Sequence, residues 1–169
     1  MRDAALQRRR IMLGLTATMA LAGCGFELRR ASEMQFKTIQ LTGFAPKSPL
    51  ALELRQSIDA SAGTRVVEGA AQAQVVFEAI NDARERSVVA YTATGLVREI
   101  QLRVRLNFRL RTVGGTELIA PTELLQVREL SYNEGVALAK QYEEAFQFKA
   151  MQSDIVAQVV RRLAAVPPV

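Results

Sequence analysis

The 169-residue chain carries 22 lysines and arginines against 17 aspartates and glutamates, no histidine and a single cysteine. Without imidazole, and with one thiol, it lacks the raw material for a transition-metal centre, a histidine base or a Ser-His-Asp triad, so an enzyme would depend on carboxylates, lysines and tyrosines, and no cofactor or metal is expected. The formal charge of +5 overstates the folded part, because Arg2, Arg8, Arg9 and Arg10 face only Asp3 within residues 1–23; the other 18 basic and 16 acidic side chains leave +2, which is not the balance of a nucleic-acid binder.

Arg8, Arg9 and Arg10 precede an apolar run from Ile11 to Ala22 that closes on small residues, the layout of a secretory signal. Its 12 residues are too few to cross a hydrocarbon core of about 30 Å, which takes roughly 20. Residues 1–23 therefore read as a cleaved signal peptide. Leu21-Ala22-Gly23-Cys24 resembles the bacterial lipobox, in which the thiol receives a diacylglycerol before cleavage and the freed amine is then acylated. That resemblance makes Cys24 the lipidation site, and two lipid signals give stable anchoring. Gly25, where an aspartate would signal retention at the inner membrane, implies the periplasmic face of the outer membrane. Arg9-Arg10-Ile11-Met12-Leu13 also resembles a twin-arginine export signal, and general secretion tolerates the same residues. Residues 24–35 read as lipidated N-terminus and tether, and residues 36–169 as a single globular domain of ordinary size.

Within that domain Phe36 to Leu41 reads as a short strand, broken by Gly43, Pro46 and Pro49. Ser48 is placed as an N-cap with Pro49 at the first helical position, and Leu50, Leu54 and Ile58 form one apolar stripe until Gly63. Strand character returns from Gln74 to Asn81 and again near Arg86 to Thr94, with Asn81-Asp82 as turn or continuation. The firmest signal follows. Ile100, Leu102, Val104, Leu106, Phe108 and Leu110 are apolar at every second position, with Arg103, Arg105, Asn107, Arg109 and Arg111 between them. Strict period two marks a strand with one face on a core and the other in water or against a polar partner.

Gly114-Gly115 suits a tight hairpin turn, with an antiparallel return from Glu117 to Tyr132 and a bulge or edge position at Pro121. Ser131-Tyr132-Asn133-Glu134 has the form of a capping box opening a long helix. That helix carries Leu138, Tyr142 and Phe146 on one stripe and Phe148, Met151, Ile155, Val159 and Leu163 on another. The ten residues from Leu138 to Phe148 offset the stripes by about 80°, which predicts a kink or a change of packing partner near Gln147. Arg161 and Arg162 suit the helix dipole at its C-terminal end. The fold expected is α+β, a four-stranded mostly antiparallel sheet with two helices packed on one face.

Several segments are together similar to the LptE family of LPS-assembly lipoproteins. They are Cys24-Gly25-Phe26-Glu27-Leu28-Arg29, Leu118-Ile119-Ala120-Pro121 and, above all, the run Ser131-Tyr132-Asn133-Glu134-Gly135-Val136-Ala137-Leu138-Ala139-Lys140. Glu143-Glu144, Met151-Gln152-Ser153-Asp154 and Arg161-Arg162-Leu163 continue the match down the last helix. The resemblance implies a non-enzymatic protein that plugs and helps assemble the outer-membrane β-barrel LptD and binds lipopolysaccharide (LPS) during its insertion into the outer leaflet. The family's LPS-contacting lysine maps onto Lys140. A second basic contact, in the turn before the long middle strand, has no clean counterpart: Tyr91-Thr92-Ala93-Thr94 stands there, with Arg84, Arg86 and Arg98 nearby.

The row Arg103, Arg105, Arg109 and Arg111 reads either as the wetted face of a sheet or as guanidinium forks for lipid phosphates or barrel carboxylates. Lys140 reads as a solvated helix lysine or an LPS contact, and Tyr142, Phe146 and Phe148 as core or binding surface. Two other functions fit the same sequence: a non-catalytic pilot or scaffold of another envelope complex, and a lipid-anchored enzyme working with carboxylates.

Overall fold

The computed structural model describes residues 33–168; the leader, Cys24 and most of the tether lie outside the described residues. Ala31–Val169 form one compact unit. Strand β1 (Thr38–Thr42) leads through a loop into helix α1 (Pro49–Asp59) and a three-residue strand β2 (Arg65–Val67), then a 3-10 turn at Ala70–Gln72. Three long strands follow, β3 (Val75–Tyr91), β4 (Val97–Thr112) and β5 (Glu117–Ser131), and helix α2 (Ala137–Ala164) closes the fold behind a 3-10 turn at Glu134–Val136.

The sheet runs β2-β1-β3-β4-β5. β1 is parallel to both its neighbours, while β3, β4 and β5 pair antiparallel over most of their length. The expected α+β architecture holds, with five strands in place of four. The extra strand, β2, is too short to show a periodicity, and it exists because α1 returns the chain to the start of β1, where the Arg65 N–H donates to the Lys37 carbonyl at 2.9 Å.

Alternation in β4 fixes the layers. Ile100, Leu102, Val104, Leu106, Phe108 and Leu110 are all buried, and they share one core with Leu54 and Ile58 of α1 and Met151, Ile155, Val159 and Leu163 of α2. Both helices therefore lie on this face, and the odd-numbered residues of β4 form the open face. α1 starts as the sequence predicts, with Ser48 Oγ accepting from the Ala51 N–H at 3.2 Å and donating to Asp82 Oδ2 at 2.5 Å.

Asn81-Asp82 proves to be continuation. A bulge at Ile80 shifts the register between Ala79 and Asn81, so the core-facing set changes from Val75, Phe77 and Ala79 to Asp82, Arg84, Arg86 and Val88. One inserted residue reverses which side each later side chain takes.

Tyr132 to Val136 corrects a second expectation. Ser131 does not cap the long helix: the Tyr132 N–H donates to the Arg98 carbonyl at 2.8 Å and holds Ser131 in the strand, while Asn133 Oδ1 takes the Gly135 N–H at 2.9 Å. The α-helix begins at Ala137 after Val136, with no side-chain cap.

Gly43 ends β1 at φ +81, where a Cβ would fall on the Ala79 carbonyl oxygen and 3.0 Å from its carbon. Gly43→Ala is expected to destabilise the domain by roughly 2 kcal/mol from the left-handed backbone and the enforced shift of β3. Chemical denaturation of the purified protein checks this, and a loss within measurement error would show that the loop yields freely.

Candidate functional site

The open face of the sheet collects the arginine row, but few of its charges are free. Arg109 donates from Nε and Nη2 to Glu78 Oε2 at 3.0 and 2.8 Å, and Arg111 Nε stands 3.8 Å from the same oxygen. Arg105 pairs with Glu123 across β4 and β5 at 3.2 Å. Its Nε and the neighbouring Asn107 Oδ1 are buried without a partner. Arg103 donates to Gln101 Oε1 at 2.7 Å, and Gln101 in turn donates to Glu129 at 3.1 Å. Among the described residues Arg103 is the only arginine of the row with no carboxylate partner.

Partly exposed pairs of this kind contribute little stability, about 0–1 kcal/mol each, and they remain exchangeable. An incoming phosphate or carboxylate can take over a guanidinium already held at a fixed position by its first partner. Ile80, Leu125 and Val127 are more than two-fifths exposed on this same face, so the surface mixes cations with aliphatic side chains.

Lys140 and Arg98 belong elsewhere. Lys140 lies in the first turn of α2, its side chain 18% exposed and its Nζ 2.8 Å from Glu143. Arg98 stands at the start of β4, exposed, on the side that carries the helices. Arg98 and Lys140 thus share the helix layer at the β3–β4 hairpin end, and the structure does not join them to the arginine row.

One feature escaped the sequence reading. Arg84 and Arg86 face α2: the Arg84 guanidinium lies 4.8 Å from the Phe148 ring centroid and donates to Gln152 Oε1 at 3.1 Å, while Arg86 lies 5.5 Å from the Tyr132 centroid and pairs with Glu144 at 3.0 Å. They act as stays between sheet and helix. Near Gln147, where the sequence predicts a kink or a change of packing partner, α2 is one continuous helix whose packing changes: Phe148, Met151, Ile155, Val159 and Leu163 pack inward. Leu138, Tyr142 and Phe146 are 67, 72 and 69% exposed. The spacing of these residues was evident in the sequence, and what it lacked was any sign of which stripe had a partner.

Among the described residues no cluster of His, Cys, Asp or Glu could hold a metal, and no helix is long and apolar enough to cross a membrane. The site is a pair of surfaces: an ion-paired sheet face, on which the arginine row is interleaved with Glu78, Glu85, Glu99, Glu117, Glu123 and Glu129, and an apolar helix flank.

The same two-layer fold is found in solved bacterial lipoproteins. Lipoprotein B of Nitrosomonas europaea superposes with a TM-score of 0.72 at 30% identity, covering 83% of this chain and 91% of that one. Rare lipoprotein B of Shewanella oneidensis shares the fold at 0.63 and 22% identity, over 76% of this chain and 95% of that one. The class is thus a helix pair on a mixed sheet, the fold of these lipoproteins.

Within that class the chain belongs to the LptE lipopolysaccharide-assembly family, whose model matches residues 36–163. It is 28% identical over 158 residues to the LPS-assembly lipoprotein LptE of Photorhabdus laumondii, covering 92% of this chain and 85% of that protein. The protein of the same name in Pectobacterium atrosepticum is 28% identical over 156 residues, covering 90% and 83%.

Proposed function

We propose that this protein is an outer-membrane lipoprotein, held on the periplasmic side by acylated Cys24, that plugs and helps assemble the β-barrel LptD and binds LPS on its way to the outer leaflet. The observation that carries the reading is the family match across the folded domain, residues 36–163. The geometry supports it. A body enclosed by a barrel has to present contact surfaces on both sides, and this domain leaves a sheet face of paired arginines and glutamates on one side and an apolar helix flank on the other. The role is non-enzymatic, in keeping with side chains engaged in packing and ion pairs.

Affinity purification of the acylated protein tests the partner. One abundant outer-membrane β-barrel is expected, and recovery of a different complex, or of none, removes the reading.

The sheet face has its own test in Arg103, whose charge is unpaired among the described residues. Arg103→Glu is expected to weaken LPS binding about tenfold, the value of a charge-assisted hydrogen bond, and to lower stability by no more than about 1 kcal/mol, because Glu85 stands directly opposite in the ladder. Titration with LPS and chemical denaturation report the two quantities separately. Unchanged affinity in Arg103→Glu, and in the double variant Arg105→Glu with Arg109→Glu, assigns the row to solvent.

A further inference from the structure

The strand and helix directions collect one set of features at a single end of the domain. The described residues start there, at residue 33, five residues before β1. The Lys37 N–H donates to the Gln74 side chain at 2.6 Å, the Arg65 N–H to the Lys37 carbonyl at 2.9 Å, and the Val113 N–H to the Gln74 carbonyl at 3.4 Å. The starts of β1, β2 and β3 and the β4–β5 hairpin therefore lie side by side. α2 runs back along the sheet to this same end, where Arg162, Val166 and Pro167 line an open notch of about 350 Å³ with Leu118 and Ile119.

Lys37, Arg65, Arg161 and Arg162 are all exposed here, and among the described residues none has a carboxylate within ion-pair distance. The acids at this end are Glu33, Asp59 and Glu117; Asp59 takes the Val66 N–H at 2.9 Å, and Glu117 stands opposite Arg111 in the ladder. Val113 is 46% exposed at the hairpin, giving an apolar tip between the cations of β1 and β2 and those of α2. Arg161 and Arg162 also complement the C-terminal dipole of α2, which fixes where they stand without neutralising them toward solvent.

From this we infer that the end carrying Lys37, Arg65, Val113, Arg161 and Arg162 seats on an anionic lipid surface, holding the anchored domain end-on before it engages a barrel. The inference rests on the proposed attachment through Cys24. Eight residues separate Cys24 from residue 33, a reach of at most about 30 Å, so acylation keeps this end within a short distance of the headgroups. The five strands are spread over roughly 20 Å, which lets the two cation pairs meet separate headgroups at once. Each basic residue near such a surface improves partition about fivefold. The opposite end, with Leu96 in the β3–β4 hairpin, stands about 50 Å away along β4 and takes no part.

The chain contains no tryptophan, so a single one reports position cleanly. Full-length acylated Val113→Trp and Leu96→Trp proteins are reconstituted into vesicles of brominated phosphatidylcholine, with or without phosphatidylglycerol. The tryptophan at 113 is expected to be quenched at least about threefold more strongly than that at 96 in anionic vesicles. The excess should vanish in pure phosphatidylcholine, in roughly 1 M salt, and when Arg161→Glu and Arg162→Glu are added. Equal quenching at the two positions, or an excess indifferent to lipid charge and to the two reversals, overturns the seating while flotation with the vesicles keeps the anchor. Protein that does not float with vesicles overturns anchor and seating together.

Discussion

Phe77→Ala is expected to lower the unfolding free energy by roughly 3–5 kcal/mol. Phe77 is fully buried on β3 and stacks between Phe44, 5.8 Å away, and Phe108, 4.9 Å away, at interplanar angles of 2° and 13°. Its backbone is held as well, with Leu41 of β1 on one side, Leu110 of β4 on the other, and Thr42 Oγ1 donating to its carbonyl at 3.1 Å. A strand fixed on both flanks cannot close over the vacated volume, so the cavity persists and its cost adds to the lost transfer energy. Phe77→Leu should cost distinctly less, because the β1 and β4 neighbours keep most of their contacts. Urea denaturation of the mature protein gives both values. A loss below about 1 kcal/mol for the alanine variant would show the parallel β1–β3 seam to be collapsible and the three-ring stack to be dispensable.

That seam joins the part of the fold the sequence displays to the part it conceals. β4 could be read directly, because a half-buried strand in the middle of a sheet has to alternate, and from Ile100 to Leu110 its own alternation is unbroken, the extra residues at Ile80 and around Pro121 falling on β3 and β5. The capped start of α1 is also local chemistry, settled by Ser48 and Pro49 before any tertiary contact forms. β3 is different. Its bulge at Ile80 exchanges inside for outside midway, so Arg84 and Arg86 arrive on the helix side, where alternation alone would place apolar residues. Local pattern turns into apparent irregularity at that point, and a turn at Asn81-Asp82 becomes a reasonable expectation. β2 owes its existence to a neighbour it meets only after α1 has formed.

The candidate surfaces divide in the same way. The arginine row is visible as residue type, but its pairing with Glu78 and Glu123 depends on the β3–β4 and β4–β5 registers, which are long-range. Lys140 and the row look like one basic set along the sequence, and the two-layer packing puts them on opposite sides of the sheet. Residue identity is local information, whereas which cation remains available to a ligand is set by its cross-strand neighbour.

The apolar flank of α2 carries the largest functional expectation. α1 covers the corresponding side of α2 only from its own first turn onward, where Gln152 Nε2 donates to the Pro49 carbonyl at 3.1 Å and Ser153 Oγ to Glu53 at 2.5 Å. N-terminal to that contact Leu138, Tyr142 and Phe146 continue along the helix without a cover among the described residues. Three large side chains about two-thirds exposed, at successive four-residue steps, form a contiguous patch of the kind that marks an interaction site, and exposed aromatics are frequent binding hot spots. If this flank meets the barrel, Tyr142→Glu with Phe146→Glu removes two anchors worth about 2 kcal/mol or more each, and affinity for the barrel should fall about a thousandfold, enough to lose the recovered complex. Neither side chain supports the core, so the double variant should unfold within about 0.5 kcal/mol of the parent, and Tyr142→Phe should keep full recovery. The ratio of co-purified barrel to lipoprotein reads the effect. A double variant that is as stable as the parent and still recovers the barrel in full would mean that the complex forms through the sheet face alone.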